Sequence, residues 1–149
     1  MYKDQRIIYK DLSYQIVGVL FDVFNQLGPG HNEKFYEKAM ARGLATIGLE
    51  FKTQVPAHLF YKGVKIGRFF LDFLIENKIV LEIKVGRAFS KQNFNQIIEY
   101  IKITNKKLAI LAIFSFSGVK FIRLLNSNQE ISQASENLKL TNLRKLFYL

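Results

Sequence analysis

Ile16, Leu20, Phe24 and Leu27 recur at helical spacing in a mixed stretch. They predict an amphipathic helix capped by Ser13 and running to about Gln26, where Gly28-Pro29-Gly30 stops it. A second helix is expected from His31 or Asn32 to Ile47. Tyr36, Met40, Gly43 or Leu44, and Ile47 mark its inner face, and Gly48 fits its C-terminal cap. Beyond residue 50 the rhythm changes. Residues 50–61, 64–75 and 79–85 read as strands joined at Lys62-Gly63 and at Glu76-Asn77-Lys78. Pro56 argues for an edge position or a bulge in the first of them. Ser90 caps a predicted helix over 91–104, with Phe94, Ile97, Ile98 and Ile101 inward. Leu108 to Phe114 is a continuous apolar run, the signature of a strand covered on both faces. Ser115-Phe116-Ser117-Gly118 turns into a last strand over 119–124.

The order is helix, helix, three strands, helix, two strands. It implies one α/β domain with a mixed sheet and helices on its faces, spanning residues 12–125. Residues 1–11 are expected to form an arm. Residues 126–149 are expected to form a polar tail ending in a short helix packed on its own domain, with docking of Phe147 and Tyr148 to a partner or a second copy as the alternative.

Within the apolar strands three charges stand out: Asp72, Glu82 and Lys84. An unpaired buried charge costs several kcal/mol, so such groups are paired, hydrated in a cleft or bound to a metal. Counting outward from Asn77 sets residue 75 opposite 79, 73 opposite 81 and 72 opposite 82. Asp72 and Glu82 then face each other with Cβ atoms about 5 Å apart. Lys84 shares the face of Glu82, because strand side chains alternate. Two carboxylates that close repel unless a cation stands between them, and a divalent metal with oxygen ligands suits the place. The alternative is a buried ion triad of purely structural value.

The chain of 149 residues carries a net charge of +10, all of it in the second part. Residues 1–50 hold six basic and six acidic groups; residues 51–149 hold sixteen basic and six acidic. A polyanionic partner follows, nucleic acid first. Lys62, Lys65, Arg68, Arg87 and Lys91 flank the charged strands and are the candidate phosphate contacts. No cysteine is present, which excludes disulfides and thiolate metal sites. The first residues lack the apolar core of a signal peptide, and no run approaches a membrane span of ~20 apolar residues. The expectation is a cytoplasmic location without membrane contact. His31 and His58 lack metal-ligand spacing to each other.

Two further sets complete the candidates. Glu33 starts the second helix on its inward side, where the helix dipole favours an acid. Gln96 and Tyr100 are four residues apart on the third helix and share one stripe.

Gly30-His31-Asn32-Glu33-Lys34-Phe35-Tyr36 is a GxxExxY pattern. After it come Gln54-Val55-Pro56, Tyr61-Lys62-Gly63, Asp72, Glu82-Ile83-Lys84, and Gln96 with Tyr100. This ordered series resembles the GxxExxY family, a branch of the PD-(D/E)XK nuclease superfamily. Leu71 stands where the superfamily pattern has proline. The resemblance implies a restriction-endonuclease-like αβββαβ core and hydrolysis of nucleic-acid phosphodiester bonds, DNA ahead of RNA. It implies Mg²⁺ or Mn²⁺ held by Asp72 and Glu82, with the Ile83 carbonyl and Glu33 as further ligands. Lys84 would activate water or steady the phosphate. Gln96 and Tyr100 resemble the Gln-x3-Tyr element of RecB-type nucleases. Alternatives are a binding module that keeps the fold without catalysis, or a homodimer or subunit of a larger nucleic-acid-processing complex.

Overall fold

The structure is a computed structural model that describes residues 8–126. The polar tail, its expected short helix and Phe147-Tyr148 lie outside the described residues, as do the first seven. Two helices come first, α1 (Lys10–Leu27) and α2 (Glu33–Thr46). Strands β1 (Phe51–Tyr61), β2 (Val64–Ile75) and β3 (Ile79–Val85) follow, then α3 (Lys91–Thr104), β4 (Leu108–Ser115) and β5 (Gly118–Leu125). Among the described residues no helix is long and apolar enough to cross a membrane.

One helix start differs from expectation. Ser13 does not cap α1; it is buried within the helix, and its amide donates to the Tyr9 carbonyl at 2.8 Å. Tyr9 and Leu12 both pack against the core, which draws the helix a turn upstream. Lys10 and Asp11, assigned to the arm, are therefore helical. The other starts match their chemistry. The Asn32 side chain accepts the Phe35 amide hydrogen at 3.0 Å, and the Ser90 hydroxyl accepts that of Asn93 at 3.0 Å.

The sheet order is β1-β2-β3-β4-β5. β3 and β4 run parallel, joined through α3; all other neighbours are antiparallel. β1 lies at the edge and carries Pro56, in line with its lost donor. One face buries Phe73, Ile75, Leu81 and Ile83 under α1 and α2; the other buries Leu71, Leu74, Val80 and Leu111 under α3. The two helices α1 and α2 cross closely at Gly43. A methyl on Gly43 would lie 2.5 Å from Val19 Cγ1, so a side chain there forces the helices apart.

The alternation along β2 slips at one place. Phe73 and Ile75 belong to the α1/α2 face, yet Leu71 packs with Leu74 on the α3 face. β1 slips at the same level: Phe51 packs with the first cluster and Val55 with the second. Gln54 lies between them with a left-handed φ of 50°. The register pairs Thr53↔Phe73 and Val55↔Leu71 bracket it, so Gln54 stands opposite Asp72. Both strands exchange faces there. On the other side of β2, the pairing with β3 ends at Phe73↔Leu81, while β3 stays paired with β4 as far as Val85↔Phe114. β2 and β3 thus part just where their carboxylates stand.

Candidate metal centre in the fork between two strands

The fork is closed by side chains rather than by backbone rungs. The Ile83 amide donates to Asp72 Oδ2 at 2.7 Å, and the Asp72 amide donates to Glu82 Oε2 at 3.2 Å. Both acids are buried, at 7% and 6% exposure. The count from Asn77 holds as far as the ladder extends, and its next step sets Asp72 against Glu82. The two groups meet by gripping each other's strands.

Lys84 lies beside them. Its Nζ is 3.2 Å from Glu82 Oε1 and 4.0 Å from Glu33 Oε1. Glu82 and Lys84 alternate with Leu81 and Ile83, whose side chains pack under α1 and α2. Reaching Glu33 on α2 is open to Lys84 only because the sheet has parted.

Glu33 is held in place by the rest of its motif. Gly30 has φ 91°, a conformation that favours glycine. Tyr36 is buried, stacks on Phe114 at 4.1 Å between ring centroids, and donates its hydroxyl to the Gly28 carbonyl at 2.6 Å. His31 Nε2 donates to the Leu27 carbonyl at 2.9 Å, and its ring meets the Tyr36 ring edge-on. The loop before α2 is pinned from both sides, and the first turn of the helix is aimed at the fork.

A residue that sequence reasoning missed completes the group. Ligand oxygens of Glu33, Glu37 and Asp72 lie within 4.8 Å of one another. Glu37 follows Glu33 by four residues and so shares its helix face. That spacing was the available signal, but Glu37 falls outside the GxxExxY pattern.

Crowding shows in the electrostatics. Burial pushes the Asp72 carboxyl up to about 8; the Glu82 charge and a hydrogen bond with Glu37 add to this, against the pull of the Ile83 amide. Burial also raises Glu82, offset in part by Lys84 and by the Asp72 amide. Burial alone would lower Lys84, but Glu82, Glu33 and Asp72 outweigh it and hold its pKa above the usual lysine value. Tyr100, on the inner side of α3, is buried in the core, and burial with the Glu82 charge pushes its phenol up to about 12. Carboxylates that take up protons for want of a counter-charge form an all-oxygen donor set. That fits a hard divalent cation, which can replace the shared protons.

Gln96 lies in the wall of a groove of about 640 Å³ with Phe69, Lys91, Gln92, Asn95 and Glu99. Lys62, Lys65 and Arg68 sit on the β1–β2 hairpin, Arg87 on the loop before α3, and Lys91 at the first residue of α3. His58 carries a buried Nδ1 without a hydrogen-bond partner.

The fold is a mixed five-stranded sheet with helices on both faces, forked where its carboxylates stand. The model of the PD-(D/E)XK nuclease superfamily matches residues 10–124, and the chain belongs to that superfamily. Among solved structures it is similar to the crystal structure of SSO0001, with 17% identity over 91% of this chain and 67% of that one, at a TM-score of 0.50. That likeness is one of fold. It also matches an alkaline exonuclease from Laribacter hongkongensis at 12% identity and a TM-score of 0.39, covering 97% of this chain and 87% of the other. No curated protein matches the chain.

Proposed function

We propose that the protein is a divalent-metal-dependent nuclease that hydrolyses phosphodiester bonds of nucleic acid, DNA ahead of RNA. The observation that carries this reading is the convergence of Glu33, Glu37 and Asp72 oxygens within 4.8 Å, beside the Lys84 ammonium. Asp72, Glu33 and Glu37 would hold Mg²⁺ or Mn²⁺. Glu82, the ligand implied by the GxxExxY resemblance, already accepts the Asp72 amide and pairs with Lys84, and would reach the cation through a remaining lone pair of its carboxylate; the Ile83 carbonyl is carried over from that resemblance alone. The bound cation supplies Lewis acidity to the scissile phosphate and lowers the pKa of an attacking water.

The chain's own groups do the rest. Lys84 stays protonated between Glu82 and Glu33, so its ammonium can donate to a phosphate oxygen as negative charge develops. Glu82 orients that ammonium. Tyr100 keeps its proton at neutral pH and lends Glu82 a neutral neighbour. Gln96 and Lys91 line the groove along α3, and on this reading they contact the nucleotide chain there.

The test is cleavage of single-stranded, duplex and branched DNA and of RNA, with Mg²⁺ or Mn²⁺. The wild type is compared with Asp72→Asn, Glu37→Gln and Lys84→Gln. Cleavage by the wild type that each variant loses supports the reading. Equal cleavage by all four overturns it. Retained binding with no cleavage by the wild type favours an inactive binding module.

A further inference from the structure

The β1–β2 hairpin carries features that a catalytic centre does not require. Phe60 and Tyr61 are each 60% exposed and Ile66 61%, and Val64 and Phe70 are exposed as well. Exposed aromatic side chains grouped on one hairpin mark an interaction surface. The same segment is purely basic: residues 51–71 contain Lys52, Lys62, Lys65 and Arg68 and no Asp or Glu.

Cations and rings are interleaved. Lys62 Nζ lies 5.4 Å from the centre of the Tyr61 ring, and the Arg68 guanidinium lies 4.8 Å from that of Phe70. The register sets His58 against Arg68, Pro56 against Phe70, and Phe60 against Lys65. Lys62 and Gly63 close the hairpin with positive φ at both positions, so the turn is tight and the arm stiff.

The arm also points somewhere. Arg68, Phe70 and Asp72 are alternate residues of β2, and from Val64 to Asp72 the strand covers about 26 Å at ~3.3 Å per residue. On the other face of the strand, at its root, Phe69 lines the groove with Lys91 and the amides of Gln92, Asn95 and Gln96. Glu99 is the one acid in that wall.

We propose that the β1–β2 hairpin is a binding arm for single-stranded nucleic acid. Phe60, Tyr61 and Phe70 stack unpaired bases, and Lys62, Lys65 and Arg68 track the phosphates toward Asp72. This rests on the nuclease reading for its destination, not for its chemistry. Paired bases are already stacked on each other, so a surface of exposed rings beside cations favours an unpaired strand. The rival occupant is the hairpin of a second copy, adding strand to strand at the β1 edge. Two such hairpins would bring only like charges together, which disfavours that pairing.

The test is binding in the presence of a chelator, so that cleavage plays no part. Fluorescence anisotropy of labelled oligothymidine and of a duplex is measured over a salt series. The wild type is compared with Phe60→Ser/Tyr61→Ser and with Lys62→Gln/Lys65→Gln. Both pairs are exposed, so the fold is expected to stand, and circular dichroism checks it. The wild type should prefer the single strand. The aromatic pair should lose at least about ten-fold in single-strand affinity with its salt slope unchanged. The lysine pair should flatten that slope for both nucleic acids.

Unchanged single-strand affinity in the aromatic variant overturns the proposal, as does equal loss on duplex and single strand. A wild type that sediments as a dimer while the aromatic variant is monomeric also overturns it, in favour of the second copy. Single-strand binding that depends on the rings, in a protein that cuts nothing when metal is restored, upholds the arm and removes the nuclease reading.

Discussion

Asp72 and Glu82 each hold the other's strand: Asp72 Oδ2 accepts the Ile83 amide hydrogen, and Glu82 Oε2 accepts that of Asp72. The pair keeps β2 and β3 together where their ladder has ended, and it keeps both carboxylates in the opening so made. Shape and charge can be separated at Asp72. Asparagine preserves an oxygen for the Ile83 amide but not the negative charge. Alanine removes both and leaves a buried amide unpaired, which costs about 1–3 kcal/mol. Without a cation at neutral pH, Asp72→Asn should therefore melt no lower than the wild type yet lose Mn²⁺ binding in calorimetry, whereas Asp72→Ala should lose the Ile83 amide's partner as well as the binding. An Asp72→Asn protein that binds Mn²⁺ as the wild type does would remove Asp72 from the ligand set.

The same crowding makes stability depend on pH when no divalent cation is bound. The Asp72 carboxyl has an ordinary value of 3.8 and is raised to about 8 in the fold, with Glu82 raised as well. Below the ordinary value both folded and unfolded chains bind the proton, and the group has no effect. Above it the unfolded chain releases the proton while the folded chain retains it, so stability falls with rising pH. The loss runs from about pH 4 and levels off above about pH 8. Lys84, raised above 10.5, does not alter this window. Urea unfolding in a chelator should show a falling midpoint between pH 4 and 8, corresponding to a loss of unfolding free energy on the order of a few kcal/mol. Asp72→Asn should flatten the profile, and saturating Mn²⁺ should lift its alkaline end. A midpoint that rises through this range in the wild type would contradict the crowding.

Much of this was open to reading in the sequence because it depends on local rules. Three-residue and two-residue turns set the strand register, and caps at Asn32 and Ser90 set the helix starts. Asp72, Glu82 and Lys84 were legible because charge in an apolar strand is conspicuous. The face exchange at Gln54 and Asp72 was not, since Gln54 is no glycine and nothing in its neighbours announces a positive φ. Glu37 was overlooked because a carboxylate on a helix with lysines beside it reads as ordinary surface. Only the packing of α2 over the fork gives it a role. Ser13 misled for a related reason: the polar residue best suited to a cap was overridden by the apolar packing of Tyr9 and Leu12.

Lys84 has two tasks that respond differently to substitution. It balances the buried Glu82 at 3.2 Å, and it presents an ammonium to the fork. Its side chain is 25% exposed and that of Glu82 8%, so the pair is only lightly screened by solvent. Lys84→Gln should cost about 1.5–3 kcal/mol, as for hydrogen bonds to charged groups. It should raise the pKa of Glu82 further and lower cleavage by at least about a hundred-fold. The double variant Lys84→Gln/Glu82→Gln should regain part of the stability, since no charge is then stranded, but none of the activity. Recovery of cleavage in the double variant would show that Lys84 acts only as the partner of Glu82.

Glu37 tests the composition of the centre most directly, because the superfamily resemblance did not point to it. It helps to raise the Asp72 carboxyl and lies with Glu33 and Asp72 inside the 4.8 Å group. Removing its charge has opposite consequences with and without a cation. Without one, Glu37→Gln relieves like-charge crowding, so Asp72 should titrate lower and the fall in stability toward pH 8 should shrink. With one, a ligand is lost, and Mn²⁺ affinity should drop about ten-fold or more. Nuclear magnetic resonance titration of the Asp72 carboxyl reads the first effect, and calorimetry with Mn²⁺ reads the second. Glu33→Gln provides the comparison: it weakens the hold on the cation while leaving Glu37 beside Asp72, and Glu33 is not among the groups that raise Asp72, so the Asp72 titration should stay nearer the wild type. If Glu37→Gln shifts neither the titration nor the affinity, Glu37 is a surface acid and the cation is held by Asp72 and Glu33 with Glu82.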